Sequence, residues 1–356
     1  MPLRDAESSW PLAASKGLES LWQSPTHPLI RVLQPLAGLL QWLARQRARR
    51  WRERRQQLPV PVVVVGNLLV GGTGKTPVLI ALVQQLQARG WRPGVISRGY
   101  GVRIGPRPRL SDKGAAAHQI GDEPALIAAS TGVPVAVHPD RPRAAQALLA
   151  AHPELDVILS DDGLQHVALW RDVELLVTDE RGWGNGHCLP AGPLREPVAR
   201  ALSVDALIGN GLEPQWPGEP HHAHARRFRM NLVARQAIRL IDNASSALTA
   251  SDWQTLSQQG LLHAMAGIGR PGRFFSLLKR HGIQAYEHYL DDHHAFTAAD
   301  FQGIPPNARI LVTDKDAVKL KVFNDARIWR VPVQATFEPD DLIVWLEQRL
   351  HGLTTA

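Results

Sequence analysis

An α/β fold built on a largely parallel sheet is what this 356-residue sequence predicts, and three observations predict it. Aliphatic, β-branched runs recur at 62–65, 94–97, 133–137, 155–160, 173–178 and 204–209 with helical stretches between them, the pattern of a sheet covered on both faces by crossover helices. A stretch rich in Pro, Gly and His at 212–222 interrupts the alternation, and a second, smaller α/β set follows. Ahead of both, residues 1–58 carry an amphipathic, basic, helical pattern instead. The expected organisation is an N-terminal segment 1–58, a sheet unit 59–222, and a C-terminal α/β unit 223–356 that begins with a two-stranded linker.

Composition narrows the class. With 44% hydrophobic and 21% charged residues the chain is globular rather than disordered. One cysteine, Cys188, excludes an internal disulfide framework and a multi-cysteine zinc site. No run of about 18 apolar residues occurs, so no membrane-spanning helix is expected. The opening Met1 to Glu7 lacks the basic-then-apolar order of a signal peptide. The net charge of +7 is local: residues 1–60 hold ten Lys/Arg and four Asp/Glu, which leaves +1 for the remainder. A nucleic-acid-binding domain would spread that charge over a face, so nucleic acid is not an expected partner.

In the N-terminal segment Leu29, Leu33, Leu36, Leu40 and Leu43 fall at helical steps of four and three, while Pro35 predicts a break or kink. Arg45, Arg47, Arg49, Arg50, Arg52, Arg54 and Arg55 follow, opposed by Glu53 alone. Trp10, Trp22, Trp42 and Trp51 lie in the same segment. Apolar face, tryptophans and arginines together are what a helix lying in a membrane interface requires. The competing reading is a helix packed on the protein's own core with a solvated arginine run after it, and a third is an arginine-rich arm that binds nucleic acid.

The run Val62–Val65 has the signature of a strand buried on both faces. It leads into Leu69, Val70, Gly71, Gly72, Thr73, Gly74, Lys75 and Thr76, and then into a helix with Val78, Leu79, Leu82, Val83 and Leu86. Strand, glycine-rich loop, Gly-Lys-Thr and helix form the context of a P-loop, so residues 69–76 are the expected nucleotide-phosphate site. The glycines let backbone amides turn toward phosphate oxygens, Lys75 reaches the β- and γ-phosphates, and the Thr76 hydroxyl is a magnesium ligand. Leu69 departs from the usual pattern, which places glycine there.

A phosphate loop needs acidic partners. Asp161 and Asp162 end the strand-like run 157–160, the Walker B position for holding magnesium or its water. Asp179 and Asp314, each after an aliphatic run, are further candidates, and helix capping is the competing explanation for any one of them. Asp122 and Glu123 open a helical stretch, which capping alone would also explain. Asp291, Asp292, His293 and His294 suggest a metal site by type, but adjacent residues seldom chelate together. Beyond the boundary, 226–241 alternates like a β-ribbon, strands are expected at 262–267, 283–289, 309–313 and 328–333, and a helix near 339–350.

Seven blocks in one order resemble the tetraacyldisaccharide 4'-kinase (lipid A 4'-kinase) family over about residues 25–350. They are Gly66-Asn67 through Gly71-Gly72-Thr73-Gly74-Lys75-Thr76-Pro77, Ser97-Arg98-Gly99-Tyr100-Gly101, Gly121-Asp122-Glu123-Pro124, Asp161-Asp162-Gly163-Leu164-Gln165-His166, Leu189 to Pro197, Ala266-Gly267-Ile268-Gly269-Arg270-Pro271 and Asp292-His293-His294. Even the Leu69 departure is family-like, and Leu164 stands where an aromatic is common. The resemblance implies transfer of the γ-phosphoryl of ATP to the 4'-hydroxyl of a tetraacylated glucosamine disaccharide 1-phosphate, giving lipid IVA. It further implies Lys75 as the phosphate-cradling lysine, Asp122 with His293 as the pair activating the hydroxyl, and Thr76, Glu123, Asp161 and Asp162 around Mg2+. The implied partners are a glycolipid and a membrane surface, met peripherally at the cytoplasmic face of a bacterial inner membrane, with no obligate protein partner. The alternative function is a regulatory, membrane-associated P-loop NTPase with no lipid acceptor. An active site in the cleft between two units is expected, with Lys75 from the first and His293 from the second.

Overall fold

A computed structural model describes residues 21–22, 27–53, 55–112, 117–249 and 251–354. Trp10 and Arg54 of the N-terminal reading lie outside the described residues. The strands are β1 (Val62–Gly66), β2 (Pro93–Ser97), β3 (Arg109–Ser111), β4 (Val135–Val137), β5 (Val157–Asp161), β6 (Val173–Thr178), β7 (Ala206–Asn210) and β8 (Arg226–Ala234). They continue with β9 (Gln236–Arg239), β10 (Ser245–Ala247), β11 (Leu262–Ala266), β12 (Tyr286–Tyr289), β13 (Arg309–Thr313), β14 (Ile328–Val331) and β15 (Val333–Glu338).

Among the described residues these strands form a nine-stranded sheet in the order β15-β8-β7-β6-β1-β5-β2-β4-β3 and a six-stranded sheet in the order β10-β9-β14-β13-β11-β12. In the large sheet only the edges are antiparallel, β15 on β8 and β3 on β4. β1 is central, parallel to β5 on one side and β6 on the other. The chain runs outward in opposite directions from that point, which opens a crevice at the carboxyl ends of the strands. Register puts Val65 level with Asp161, so the loop after β1 and the acidic pair after β5 emerge side by side.

The core explains the sequence pattern. Val62 to Val65 are fully buried because helices cover both faces, so no alternation was available to read. The helix Lys75–Ala88 buries Val78, Leu79, Leu82, Val83 and Leu86 on one of those faces. Phe228, Met230, Phe337, Leu342, Trp345 and Leu346 complete the same core. Each such side chain contributes roughly 1.5–3 kcal/mol by leaving water.

That last group corrects the expected boundary at 222. The stretch 226–241 is no two-stranded linker: β8 joins the large sheet beside β7, while β9 pairs with β14 in the small one. β15 returns to pair with β8, and the helix Leu342–Thr354 packs onto the first core. The physical reason is burial, since Phe228 and Trp345, with ring centroids 6.0 Å apart, need the same apolar face. The smaller sheet thus occupies a loop between β8 and β15. Its core holds Trp253 against Trp329, edge to face at 5.4 Å.

The helix Pro28–Arg52 also departs from expectation. It runs through Pro35 unbroken. The carbonyl that Pro35 leaves without its bond belongs to Arg31, which is exposed, so water can serve it. The face against the protein is narrow: Ile30 and Ala37, with Leu33 partly buried, meet Ala191. Gln34 Nε2 meets His187 Nε2 at 3.2 Å, and Gln41 donates to the Arg195 carbonyl at 3.1 Å. The leucine stripe read from sequence therefore splits. Leu29, Leu36, Leu40 and Leu43 stay exposed, together with Val32, Leu39, Trp42 and Trp51. No described helix is long and apolar enough to cross a membrane.

Candidate active site

A cleft of about 1810 Å3 lies between the two sheets, and the glycine-rich loop forms one wall. Its first residues have other duties. Leu69 is 2% exposed, sits in the core and forms an isolated bridge with Leu194, and the Val70 amide donates to the Pro193 carbonyl at 2.9 Å. Loop amides free to face an anion therefore begin after Val70, and Leu69 acts as an anchor. Four successive carbonyls accept hydrogen bonds from side chains. Arg181 donates to those of Val70 (2.8 Å) and Gly72 (3.2 Å), Asn67 to Gly71 (3.1 Å), and Asn210 to Thr73 (2.9 Å). With its carbonyls engaged, the loop offers its amides to an anion. Gly74 is required where it stands, at φ 100° with Asn210 Nδ2 only 2.6 Å from where a Cβ would be. The helix N-terminus at Lys75 adds partial positive charge.

Lys75 Nζ lies 3.4 Å from Asp162 Oδ1, and Arg195 Nη1 lies 2.8 Å from Asp162 Oδ2. Burial alone would raise the Asp162 pKa, but Lys75 and Arg195 hold it well below the usual carboxylate range. Its neighbour behaves oppositely. Asp161 Oδ2 accepts from Ser97 Oγ at 3.1 Å, while burial, with Glu123 and Asp162 nearby, pushes its pKa up to about 7. Asp161 Oδ1 is buried with no hydrogen-bond partner. Crowded carboxylate oxygens, two of which (Asp161 Oδ1 and Asp162 Oδ1) are buried without a hydrogen-bond partner, fit a divalent cation that prefers oxygen, as Mg2+ does. No group of three or more His, Cys, Asp or Glu is arranged to hold a metal among the described residues. Thr76 and Glu123 line the same cleft.

The opposite wall comes from the small sheet. His293 Nδ1 lies 3.0 Å from Asp122 Oδ2, which joins the loop after β12 to the helix Asp122–Thr131 of the large unit. Gly121, at φ 98° with the Tyr100 carbonyl 2.8 Å from a would-be Cβ, lets that helix start against the turn at 99–101. The Tyr100 ring packs on His293 at 5.2 Å. His293 itself has φ 60°, a strained value held by its amide donating to the Gly267 carbonyl at 3.2 Å. Burial raises the Asp122 pKa, and the His293 hydrogen bond with Lys319 and Lys315 outweighs it, so the carboxyl is held below its ordinary value. An ionised carboxylate orienting an imidazole is a general-base pair. His294 points elsewhere, with Nε2 3.0 Å from Asp300 Oδ1, so the adjacent histidines do not share a metal.

Other candidates take structural roles. Asp179, at the end of β6, is fully buried among Arg181 (2.9 Å), Arg273 (3.0 Å) and Arg270 (3.6 Å), and so ties the loop's clamp to the second unit. Asp314 pairs with Arg330 at 2.8 Å. Sequence reasoning assigned no role to Arg181, Asn210, Arg195 or Lys315. Three of these signal nothing by spacing, whereas Arg195 stood inside a recognised block. Fully buried Arg141 was also missed; it donates to the carbonyls of Asp161 at 2.9 Å and His138 at 3.2 Å, bracing the acidic turn from behind.

Trp22, Leu40, Leu189 and Pro190 give the cleft an apolar part of its lining, with Trp22 Nε1 donating to the Pro190 carbonyl at 3.0 Å and Leu40 belonging to the exposed residues of the helix Pro28–Arg52.

A family model described as tetraacyldisaccharide-1-P 4'-kinase matches residues 28–351. A tetraacyldisaccharide 4'-kinase of Bordetella parapertussis is 49% identical over 327 residues, covering 91% of this chain and 92% of that one. One from Pseudomonas aeruginosa is 42% identical over 346 residues, covering 96% and 99%. The crystal structure of "apo" form LpxK from Aquifex aeolicus in complex with ATP superposes with a TM-score of 0.70 at 26% identity, covering 90% of this chain and 99% of that one.

Proposed function

The chain belongs to the tetraacyldisaccharide-1-P 4'-kinase family, and from that premise we propose how its residues divide the work. It is a phosphotransferase that moves the γ-phosphoryl of ATP to the 4'-hydroxyl of a tetraacyldisaccharide 1-phosphate, a step of lipid A formation. The observation that carries the assignment of roles is the 3.0 Å contact of His293 with Asp122, formed across a cleft whose other wall presents Lys75.

In this reading the amides of Gly71 to Thr76 and the Lys75 ammonium cradle the nucleotide phosphates, and Lys75 neutralises charge growing on the transferring group. Thr76, Glu123, Asp161 and Asp162 would hold Mg2+, which when bound spreads that same negative charge. His293 accepts the acceptor's hydroxyl proton as the new O–P bond forms, and Asp122 orients the ring and stabilises the imidazolium. The apolar part of the cleft lining takes the acyl-bearing part of the glycolipid. The exposed leucines of the helix Pro28–Arg52, with the arginines after Trp42, lay the enzyme on a membrane that holds its substrate, at the cytoplasmic face of the inner membrane. The regulatory NTPase reading is not favoured, because the matching family model and the relatives are named as kinases of a tetraacyldisaccharide acceptor.

The test is transfer of label from γ-labelled ATP with the glycolipid present or absent. Label should enter lipid only with acceptor, and Lys75→Ala should lower transfer by roughly a hundredfold or more while leaving the thermal midpoint in place, as expected for a lost transition-state charge partner. Turnover independent of acceptor, or a variant within about tenfold of the parent, would refute it.

A further inference from the structure

Lys315 lines the cleft, and its ammonium sits at the centre of the dyad's surroundings. Nζ lies 3.3 Å from His293 Nε2, 3.3 Å from Asp292 Oδ1 and 3.5 Å from Glu123 Oε1. The side chain leaves the first turn of the helix Asp314–Leu320, which is capped by Thr313 accepting from the Asp316 amide. Asp316 accepts in turn from the Gly267 amide at 3.0 Å, and the Gly267 carbonyl accepts from the His293 amide. One rigid frame therefore aims both Lys315 and His293.

The two partners of the imidazole each have a single hydrogen-bonding role. An ionised carboxylate only accepts, so Nδ1 facing Asp122 carries the hydrogen. An ammonium only donates, so Nε2 facing Lys315 presents its lone pair. That is the tautomer a base needs toward an acceptor hydroxyl. A competitor stands close by: Asp292 Oδ1 is 3.9 Å from Nε2 and would draw a hydrogen to that nitrogen. Lys315 occupies this same oxygen. The remaining groups around the ring are Glu123, held by Lys315, Lys319, 3.6 Å from Asp122, and the Tyr100 ring.

We propose that Lys315 is the positioning residue of the base, fixing His293 in the tautomer whose Nε2 carries no hydrogen, by donating to that nitrogen and by masking Asp292. This rests on the dyad reading above. An incoming hydroxyl exchanges with the ammonium as donor to Nε2. As its oxygen bonds the γ-phosphorus, the bond from that phosphorus to the β,γ-bridging oxygen breaks, ADP keeps the electron pair, and the hydroxyl proton passes to Nε2. A purely structural ion pair between Lys315 and Glu123 would affect stability and leave the tautomer untouched.

The experiment reads both. In full-length protein with 15N-labelled imidazoles, the His293 signal being assigned by its loss in His293→Gln, Nε2 should resonate as a pyridine-type nitrogen. A pyrrole-type Nε2 overturns the proposal whatever any variant does. Lys315→Met should lower kcat by roughly thirtyfold or more, with KM for ATP and glycolipid within about threefold, the split expected when only the chemical step suffers. Lys315→Arg should keep about a tenth of the activity or better, since the guanidinium also only donates. Lys315→Met with Asp292→Asn should be about fivefold faster than Lys315→Met alone, because the competitor is gone. A kcat loss under about threefold, or a double variant no faster than the single, overturns the proposal. His293→Ala serves as the separate check: if it keeps turnover, the dyad reading fails, and if it is dead while Lys315→Met is normal, only the role of Lys315 fails.

Discussion

In the proposed division of work Asp122 and His293 act as one unit of two residues, joined by their 3.0 Å contact. On that proposal the carboxylate serves through the ring it orients, and the ring serves while oriented. Asp122→Ala and His293→Ala should each lower kcat by about a hundredfold or more with little change in KM, and the double variant should be scarcely worse than the poorer single. Steady-state kinetics of the three, with His294→Ala near parental activity, checks this; multiplicative losses would mean independent roles. The pair was legible in sequence only through its sequence blocks, since 171 positions separate the partners and spacing carries no hint of their 3.0 Å contact. The strand, glycine-rich loop and helix around Lys75 and Thr76 were legible outright, because their signals are local. What supports the loop was not legible: Arg181 and Asn210 reach it through folding alone, and Leu69 turned out to be an anchor in the core.

At the level of elements, β6 carries a charge among its apolar neighbours. Glu174 is buried and shared by Arg171, at 2.9 Å, and Arg200, tying the strand to the turns on either side. Burial raises its pKa, but Arg200 and Arg171 prevail and hold it below the ordinary glutamate value of 4.5. A depressed folded pKa gives stability that is fully present above the unfolded value and lost as pH falls through the folded one. Glu174→Gln should therefore cost about 3–5 kcal/mol near pH 7, where it leaves two partly buried guanidinium groups short of a partner. The gap between parent and variant in urea midpoint should shrink as pH drops below 4.5. A constant gap would place the stabilisation elsewhere. Elements like β6 were readable because short aliphatic runs flanked by polar turns define buried parallel strands. β3 was missed, being three residues at an edge with two of them exposed. The 226–241 ribbon was misplaced because alternation gives a strand's faces without naming the sheet it joins.

For the whole molecule, the helix Pro28–Arg52 is held by a narrow seam and leaves most of its apolar residues outward, so charges placed there should not disturb the fold. Leu39→Glu with Leu43→Glu should weaken sedimentation with anionic vesicles severalfold while leaving the thermal midpoint and activity on a water-soluble acceptor analogue within about twofold. Removing the arginines should make the residual binding insensitive to salt, since their attraction is screened over about 8 Å at physiological ionic strength. Unchanged sedimentation of the double variant would move the membrane contact to another surface. The return of β15 and the helix Leu342–Thr354 to the first sheet has a different consequence, for the order of events during synthesis. A ribosome that has released the phosphate loop and the acidic pair has still not released Phe337, Trp345 or Leu350, and without them the first core lies open along β8. The half built on the large sheet therefore waits, with apolar surface uncovered, while the inserted half, whose strands lie between residues 236 and 331, can close on itself first. Folding order reverses sequence order.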